Sequence, residues 1–154
     1  MIKKIIKIIL LVLCMILIFS LSSDNGEASS NKSDGTIIRV YQYITKKKLS
    51  EKEKEKIVDR YVVPVRKSAH FIIFLILGVL SISLIKEYKM IDIKALIISI
   101  IFCFLYACSD EIHQLFVIGR SGELLDVIID SFGSFIGIIT YYYIYNKFGG
   151  GRYE

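Results

Sequence analysis

Four apolar runs dominate this chain of 154 residues: about Ile5–Leu21, Ala69–Ile85, Ile93–Cys108 and Leu125–Tyr145. Each is near the short end of the roughly 17–25 residues that cross a bilayer as a helix, and none contains proline. Hydrocarbon offers backbone N–H and C=O groups no water, so such segments close their hydrogen bonds internally as helices. Composition agrees, because 54% hydrophobic residues exceed what an ordinary soluble domain carries. The expected fold class is all-α: a polytopic membrane protein with four transmembrane helices and short interfacial helices in its first outer loop.

Lysine and arginine beside the runs give an orientation, because cytoplasmic flanks carry the excess of both. Lys3, Lys4 and Lys7 place the N-terminus in the cytoplasm. Lys86, Lys89 and Lys94 place the second loop there, and Lys147 and Arg152 the C-terminus. The third loop, Ser109–Leu124, carries only Arg120 and is expected outside. The first loop runs against this pattern with many basic residues, partly balanced by seven acids. The chain is expected in the cell membrane, with both termini cytoplasmic. Its first run reads as a retained helix rather than a signal peptide, since no Ala-x-Ala site follows. The net charge of +5 is gathered beside apolar segments, which favours a lipid surface over nucleic acid. Cys14, Cys103 and Cys108 show neither CxxC spacing nor an even-numbered framework, and are expected as free thiols.

Four regions follow: 1–22, the first transmembrane helix; 23–67, an extracytoplasmic loop; 68–146, a three-helix core; and 147–154, a cytoplasmic tail. Within the loop, Ser22–Thr36 reads as irregular chain. Ile37, Val40, Tyr41 and Ile44 have helical spacing. Ser50-Glu51-Lys52-Glu53 is a capping box opening a second short helix, with Glu51/Lys54 and Glu53/Lys56 as i,i+3 pairs and Pro64 as its end. Both helices are expected to lie on the outer membrane surface.

Polar groups concentrate where the third and fourth runs meet. Ser109-Asp110-Glu111-Ile112-His113-Gln114-Leu115-Phe116-Val117-Ile118-Gly119-Arg120 holds two acids, an imidazole, an amide and a guanidinium. Ionisable groups near hydrocarbon cost roughly 2.5–3.5 kcal/mol each at a helix centre, so a chain that keeps them there is expected to use them. The topology brings Arg66, Lys67 and His70 to the outer end of the second helix. Asp110, Glu111, His113 and Gln114 come to the outer end of the third, and Asp126 and Asp130 to the outer turns of the fourth. At about 100° per residue, Tyr106, Asp110, His113 and Gln114 share an arc with Glu111 at its margin. Ile112, Leu115 and Phe116 point away. Asp126, Asp130, Gly133, Gly137 and Tyr141 form one stripe, in which Gly133-x-x-x-Gly137 permits close helix approach.

Each of these groups also has a plain structural reading. Glu111 suits a general acid or base, or equally a partner for Arg120 or Arg66. His113 suits proton transfer, or an interfacial hydrogen bond. Arg120 suits a phosphate or carboxylate, or pairing with Asp126, which itself suits a helix N-terminus. Tyr141, Tyr142, Tyr143 and Tyr145 read as an inner aromatic belt. The tentative catalytic pair is Glu111 and His113, and the candidate substrate-binding residues are Arg66, His70, Asp110, Gln114, Arg120, Asp126 and Asp130. No metal is assigned and the cofactor is unknown. A metal variant would use Asp110, His113 and Asp126.

Arg66-Lys67-x-x-His70-Phe71, then Asp110-Glu111-x-His113-Gln114-x-Phe116-x-x-Gly119-Arg120, then Asp126, Gly133 and Gly137, resemble the VanZ-like family. These are small polytopic membrane proteins whose namesake is associated with resistance to the glycopeptide teicoplanin. The resemblance covers about Arg66–Tyr145, and more loosely Phe19-Ser20. The chain departs from the family at Phe74, where an aromatic hydroxyl is common, and at Asp130, where asparagine is common. The resemblance implies an outward-facing polar site that affects cell-envelope and teicoplanin susceptibility in a Gram-positive cell. The bilayer is the expected partner, with a lipid-linked cell-wall precursor or a lipoglycopeptide as ligand. A membrane-embedded hydrolase or transferase on a lipid-linked substrate, a non-catalytic adaptor, and a homo-oligomer all stay open.

Overall fold

A computed structural model describes residues 1–24, 26–90, 92–120 and 122–149. The described residues contain no strand. Helix α1 spans Ile2–Ser23, α2 Gly26–Thr45, α3 Glu51–Ile85, α4 Asp92–Gln114 and α5 Leu124–Ile144. A 3-10 turn at Lys86–Tyr88 follows α3, and a π-helical turn at Tyr145–Gly149 follows α5. Four of the helices, α1, α3, α4 and α5, are long and apolar enough to cross a membrane. The chain is a multi-pass membrane protein.

Helix α3 is the centre of the bundle. Its pairing with α5 is the most extensive, and it also packs on α1, α2 and α4. The core lies among the four long helices and consists of Cys14, Ile18, Phe74, Leu77, Ile82, Ala95, Cys103, Ala107 and Ile138. Outward faces carry exposed Ile, Leu, Val and Phe, such as Ile9, Leu13 and Ile16 on α1 and Ile97, Ile101 and Leu105 on α4. An apolar exterior of this kind is what a helix offers to lipid. All three cysteines are free.

Glycine sets the spacing between α3 and α5. A Cβ on Gly133 would stand 2.5 Å from the Phe71 carbonyl oxygen. A Cβ on Gly78 or on Gly137 would overlap the carbonyl oxygen of Ser134 or of Leu75. The Gly133-x-x-x-Gly137 stripe is thus used within one chain, where small residues let two backbones touch.

Two expectations for the first loop fail. The helix opened by Ser50 does not end at Pro64. It continues through Pro64 into the second membrane run, forming a single helix of 35 residues. At 1.5 Å per residue that is about 52 Å, against roughly 30 Å of hydrocarbon, so α3 projects from the bilayer at one end. Proline is tolerated because it removes one N–H and orphans the carbonyl of Arg60, and both residues are exposed. The capping contact itself forms: Glu53 Oε2 accepts the Ser50 backbone N–H at 2.8 Å and the Ser50 hydroxyl at 2.7 Å. Lys54 pairs with Glu51 at 2.7 Å. The second failure is Ser22–Thr36, expected as irregular chain. Helix α1 runs to Ser23 and α2 begins at Gly26. Packing of α2 on α3, with Ile37 buried, outweighs weak local propensity.

Candidate functional site

Helices α1, α3, α4 and α5 bring their polar residues to the same end of the bundle. Asp110, Glu111 and Gln114 in the last turns of α4 are buried, whereas Ile112, Leu115 and Phe116 are exposed, as helical phase predicts. Gln114 connects them. Its amide donates to Asp110 Oδ2 at 3.0 Å and to Glu111 Oε1 at 2.8 Å, and its carbonyl oxygen accepts Arg120 Nη1 at 3.1 Å. Ser22 from α1, fully buried, donates to the same Asp110 Oδ2 at 2.8 Å.

Glu111 holds backbone. Its Oε2 accepts the N–H of Glu123, the N-cap residue of α5, at 2.9 Å. With Gln114 on the other oxygen, the carboxylate ties the end of α4 to the start of α5. His113 lies apart from this: its ring stacks on Phe19 with centroids 4.3 Å apart, and Nε2 is 3.0 Å from Ser23 Oγ. Both tentative catalytic residues thus have structural partners.

Arg120 crosses to α1. Nε donates to the Asp24 carbonyl and Nη2 to the Leu21 carbonyl, each at 2.9 Å. Burial, and next the charge of Arg66, hold the Arg120 guanidinium below its ordinary pKa. Asp126 pairs with Lys67, which also reaches Glu123 at 3.0 Å. This bridge joins α3 to the head of α5. On the same face, one turn deeper, His70 Nδ1 stands 3.5 Å from Asp130 Oδ2.

A cavity of about 210 Å³ opens among these residues. Arg66, Lys67 and His70 line it from α3, Gln114 from the end of α4, Asp126 and Asp130 from α5, and Gly119, Arg120 and Glu123 from the α4–α5 connection. Glu111 and His113 are not on its wall. The Arg66 side chain makes no hydrogen bond or ion pair among the described residues. The cavity therefore carries a cationic rim and an acidic floor at Asp130.

The opposite end of the bundle is built differently. Lys7 pairs with Glu87 and donates to the Ser83 carbonyl at 3.0 Å, and Lys86 pairs with Asp92. Lys86 also lies 4.7 Å from the centroid of the Tyr145 ring, and Tyr142 donates to Asp92 at 3.2 Å. Tyr145 thus stacks under a basic residue and Tyr142 donates to an acidic one.

The profile of the VanZ/LLP1 family matches residues 7–145. The chain belongs to this family. The match reaches back through α1, beyond the motif-bearing stretch from Arg66. No curated protein matches the chain, and no solved structure does. In this VanZ/LLP1 protein, α1 contributes Ser22, Ser23 and Phe19 to the polar end. The sequence reading missed Ser22, Ser23 and Glu123. The available signal was a pair of serines closing an otherwise apolar run, at the depth where the α4 acids arrive.

Proposed function

We propose that this VanZ/LLP1 protein binds the anionic headgroup of a lipid-linked envelope component in the cavity, at the extracytoplasmic face. By holding that headgroup it alters how the envelope responds to a lipid-anchored glycopeptide such as teicoplanin. One observation supports this most directly: Arg66 and Arg120 line the same cavity, their like charges oppose each other, and Arg66 has no acidic partner among the described residues. Two guanidinium groups facing one space suit a phosphate or carboxylate held between them. Leu125 and Ile128, exposed on α5 within a turn of the cavity-lining Asp126, suit a ligand whose tail stays in lipid.

Arg66→Gln is the informative variant, because no hydrogen bond or ion pair among the described residues is lost with it. Purified protein in detergent is assayed for binding of a polyprenyl phosphate, with a zwitterionic lipid as reference. A charge-assisted hydrogen bond contributes roughly 1.5–3 kcal/mol, so affinity should fall about 10- to 100-fold. In a Gram-positive host, wild type should change teicoplanin susceptibility more than vancomycin susceptibility. The equally abundant Arg66→Gln protein should not. Equal lipid binding by both proteins refutes the reading.

A hydrolase or transferase acting on the same headgroup is the second reading, and it is favoured by the His70–Asp130 pair on the cavity wall. In that case proton transfer falls to His70 and not to Glu111 or His113.

A further inference from the structure

Two residues of the cavity wall, His70 and Asp130, belong with Asp110 behind them to a grouping that anion binding does not use. His70, Asp110 and Asp130 come from α3, α4 and α5, and each offers one ligand atom such that the three atoms lie within 4.8 Å of one another. Asp130 is 0% exposed, and neither of its carboxylate oxygens has a hydrogen-bond partner among the described residues. His70 Nδ1 is likewise without one, its distance of 3.5 Å to Asp130 being too long for a well-formed hydrogen bond. A buried carboxylate that receives no donor is costly. A cation between these groups would satisfy all of them at once.

Asp110 is prepared differently, and in the manner of a metal ligand. Its Oδ2 accepts from both Ser22 and Gln114, and outer hydrogen bonds of this kind fix the orientation of a coordinating carboxylate. Two carboxylates and an imidazole make a mixed oxygen and nitrogen set. Imidazole favours a first-row transition ion over Mg²⁺ or Ca²⁺. Three protein ligands leave coordination positions open, as in sites that also hold a small ligand. His70 and Asp130 both line the cavity that Arg66 and Arg120 also line, so those positions open onto it.

We propose that His70, Asp110 and Asp130 bind one divalent first-row metal ion, Zn²⁺ or Mn²⁺, at the cavity floor, with its open positions facing the cavity. This differs from the set suggested by sequence spacing: His113 stacks on Phe19 and Asp126 pairs with Lys67. The metal site goes beyond headgroup binding and does not depend on it. If both hold, the ion and the two arginines meet the same anionic group from opposite sides.

The test uses the full chain in mild detergent, free of added lipid. Protein stripped with a chelator is titrated with Zn²⁺ or with Mn²⁺, desalted, and analysed for metal and for thermal unfolding. Wild type should retain about one ion per chain, and its Tm should rise with the ion. Asp130→Asn and His70→Gln should each lose at least tenfold in affinity, whereas Glu87→Gln at the opposite end should bind as wild type does. Because a ligand variant could fail to fold, Co²⁺ loading of wild type gives a separate readout. The spectrum should show oxygen and nitrogen coordination without a thiolate charge-transfer band. Wild type that retains no more metal than Asp130→Asn, or a thiolate band from the cysteines, overturns the proposal. Polyprenyl phosphate binding measured in chelator, with and without Arg66→Gln, reports the headgroup reading separately.

Discussion

Gly133→Ala should loosen the candidate site by moving two helices apart. Gly133 lies three residues after Asp130 on α5, and it faces the carbonyl of Phe71, the residue after His70 on α3. An alanine Cβ would stand 2.5 Å from that oxygen, and 3.2 Å from both the Phe71 carbonyl carbon and Cδ2. Backbone cannot swing aside as a long side chain can. To reach ordinary contact, α3 and α5 must separate locally by roughly 1 Å. Overpacking of this kind costs about 1–3 kcal/mol. For a chain of this size that is on the order of 5 °C in Tm, with soluble-protein scaling carried over to detergent. The same movement widens the His70–Asp130 gap beyond 3.5 Å, so metal affinity should fall about tenfold or more. Thermal unfolding and metal titration of the variant measure both effects. Gly35→Ala is the matched control: Gly35 lies in α2 with nothing within 4 Å of its added Cβ. It should be neutral or stabilise by roughly 0.5–1 kcal/mol. If Gly133→Ala melts with wild type and binds metal equally well, the α3–α5 contact is not what sets the spacing of the site.

Other expectations separate support from chemistry. Glu111→Gln weakens the tie between α4 and the Glu123 N–H, at a cost of roughly 1–3 kcal/mol. Membrane abundance and Tm should drop, while polyprenyl phosphate binding per folded molecule stays near wild type. Ser22→Ala removes one of two donors to Asp110 Oδ2 and should lower metal affinity about 10- to 100-fold, with Ser23→Ala having little effect in the same titration. Orientation is measured by labelling intact cells with an impermeant maleimide, after replacing Cys108 by serine. Ile118→Cys, in the exposed loop between α4 and α5, should label from outside. Lys89→Cys, in the loop between α3 and α4, should label only after the membrane is opened.

Much of the fold was legible because bilayer physics leaves few options. Four apolar runs become four helices, and their phase gave the inward faces of α4 and α5 from sequence alone. Less legible was anything decided by contact between distant segments. Pro64 reads locally as a stop, yet helix α3 continues because its polar first half lies where water can meet the orphaned carbonyl. Residues 26–36 read as irregular, yet they are helical beside α3. At the polar end, residue types announced a cluster but not its division of labour. Glu111 and His113 carry the most reactive groups of the densest motif, and both are engaged in packing. Asp130 is a buried carboxylate left without a donor among the described residues.

That division follows from how the bundle closes. Helix α1 supplies Ser22 to Asp110 and two carbonyls to Arg120, so it ties down the polar end without lining the cavity. Glu111 and Gln114 fix the turn from α4 to α5, and the Lys67 bridge fixes α5 against α3. Among the described residues at this end, Arg66 still has no acidic partner, and Asp130, His70 Nδ1 and the neighbouring Ser131 hydroxyl have no hydrogen bond. A bundle that used its polar residues only for cohesion would be expected to give Asp130 a well-formed hydrogen bond, where it has only the 3.5 Å approach of His70, since a buried carboxylate that receives no donor is costly. A guanidinium without an acidic partner and a buried carboxylate without a donor among the described residues, on one small cavity, make the arrangement expected when both wait for something from outside the chain. An anionic headgroup and a divalent ion are the two ligands that would complete it.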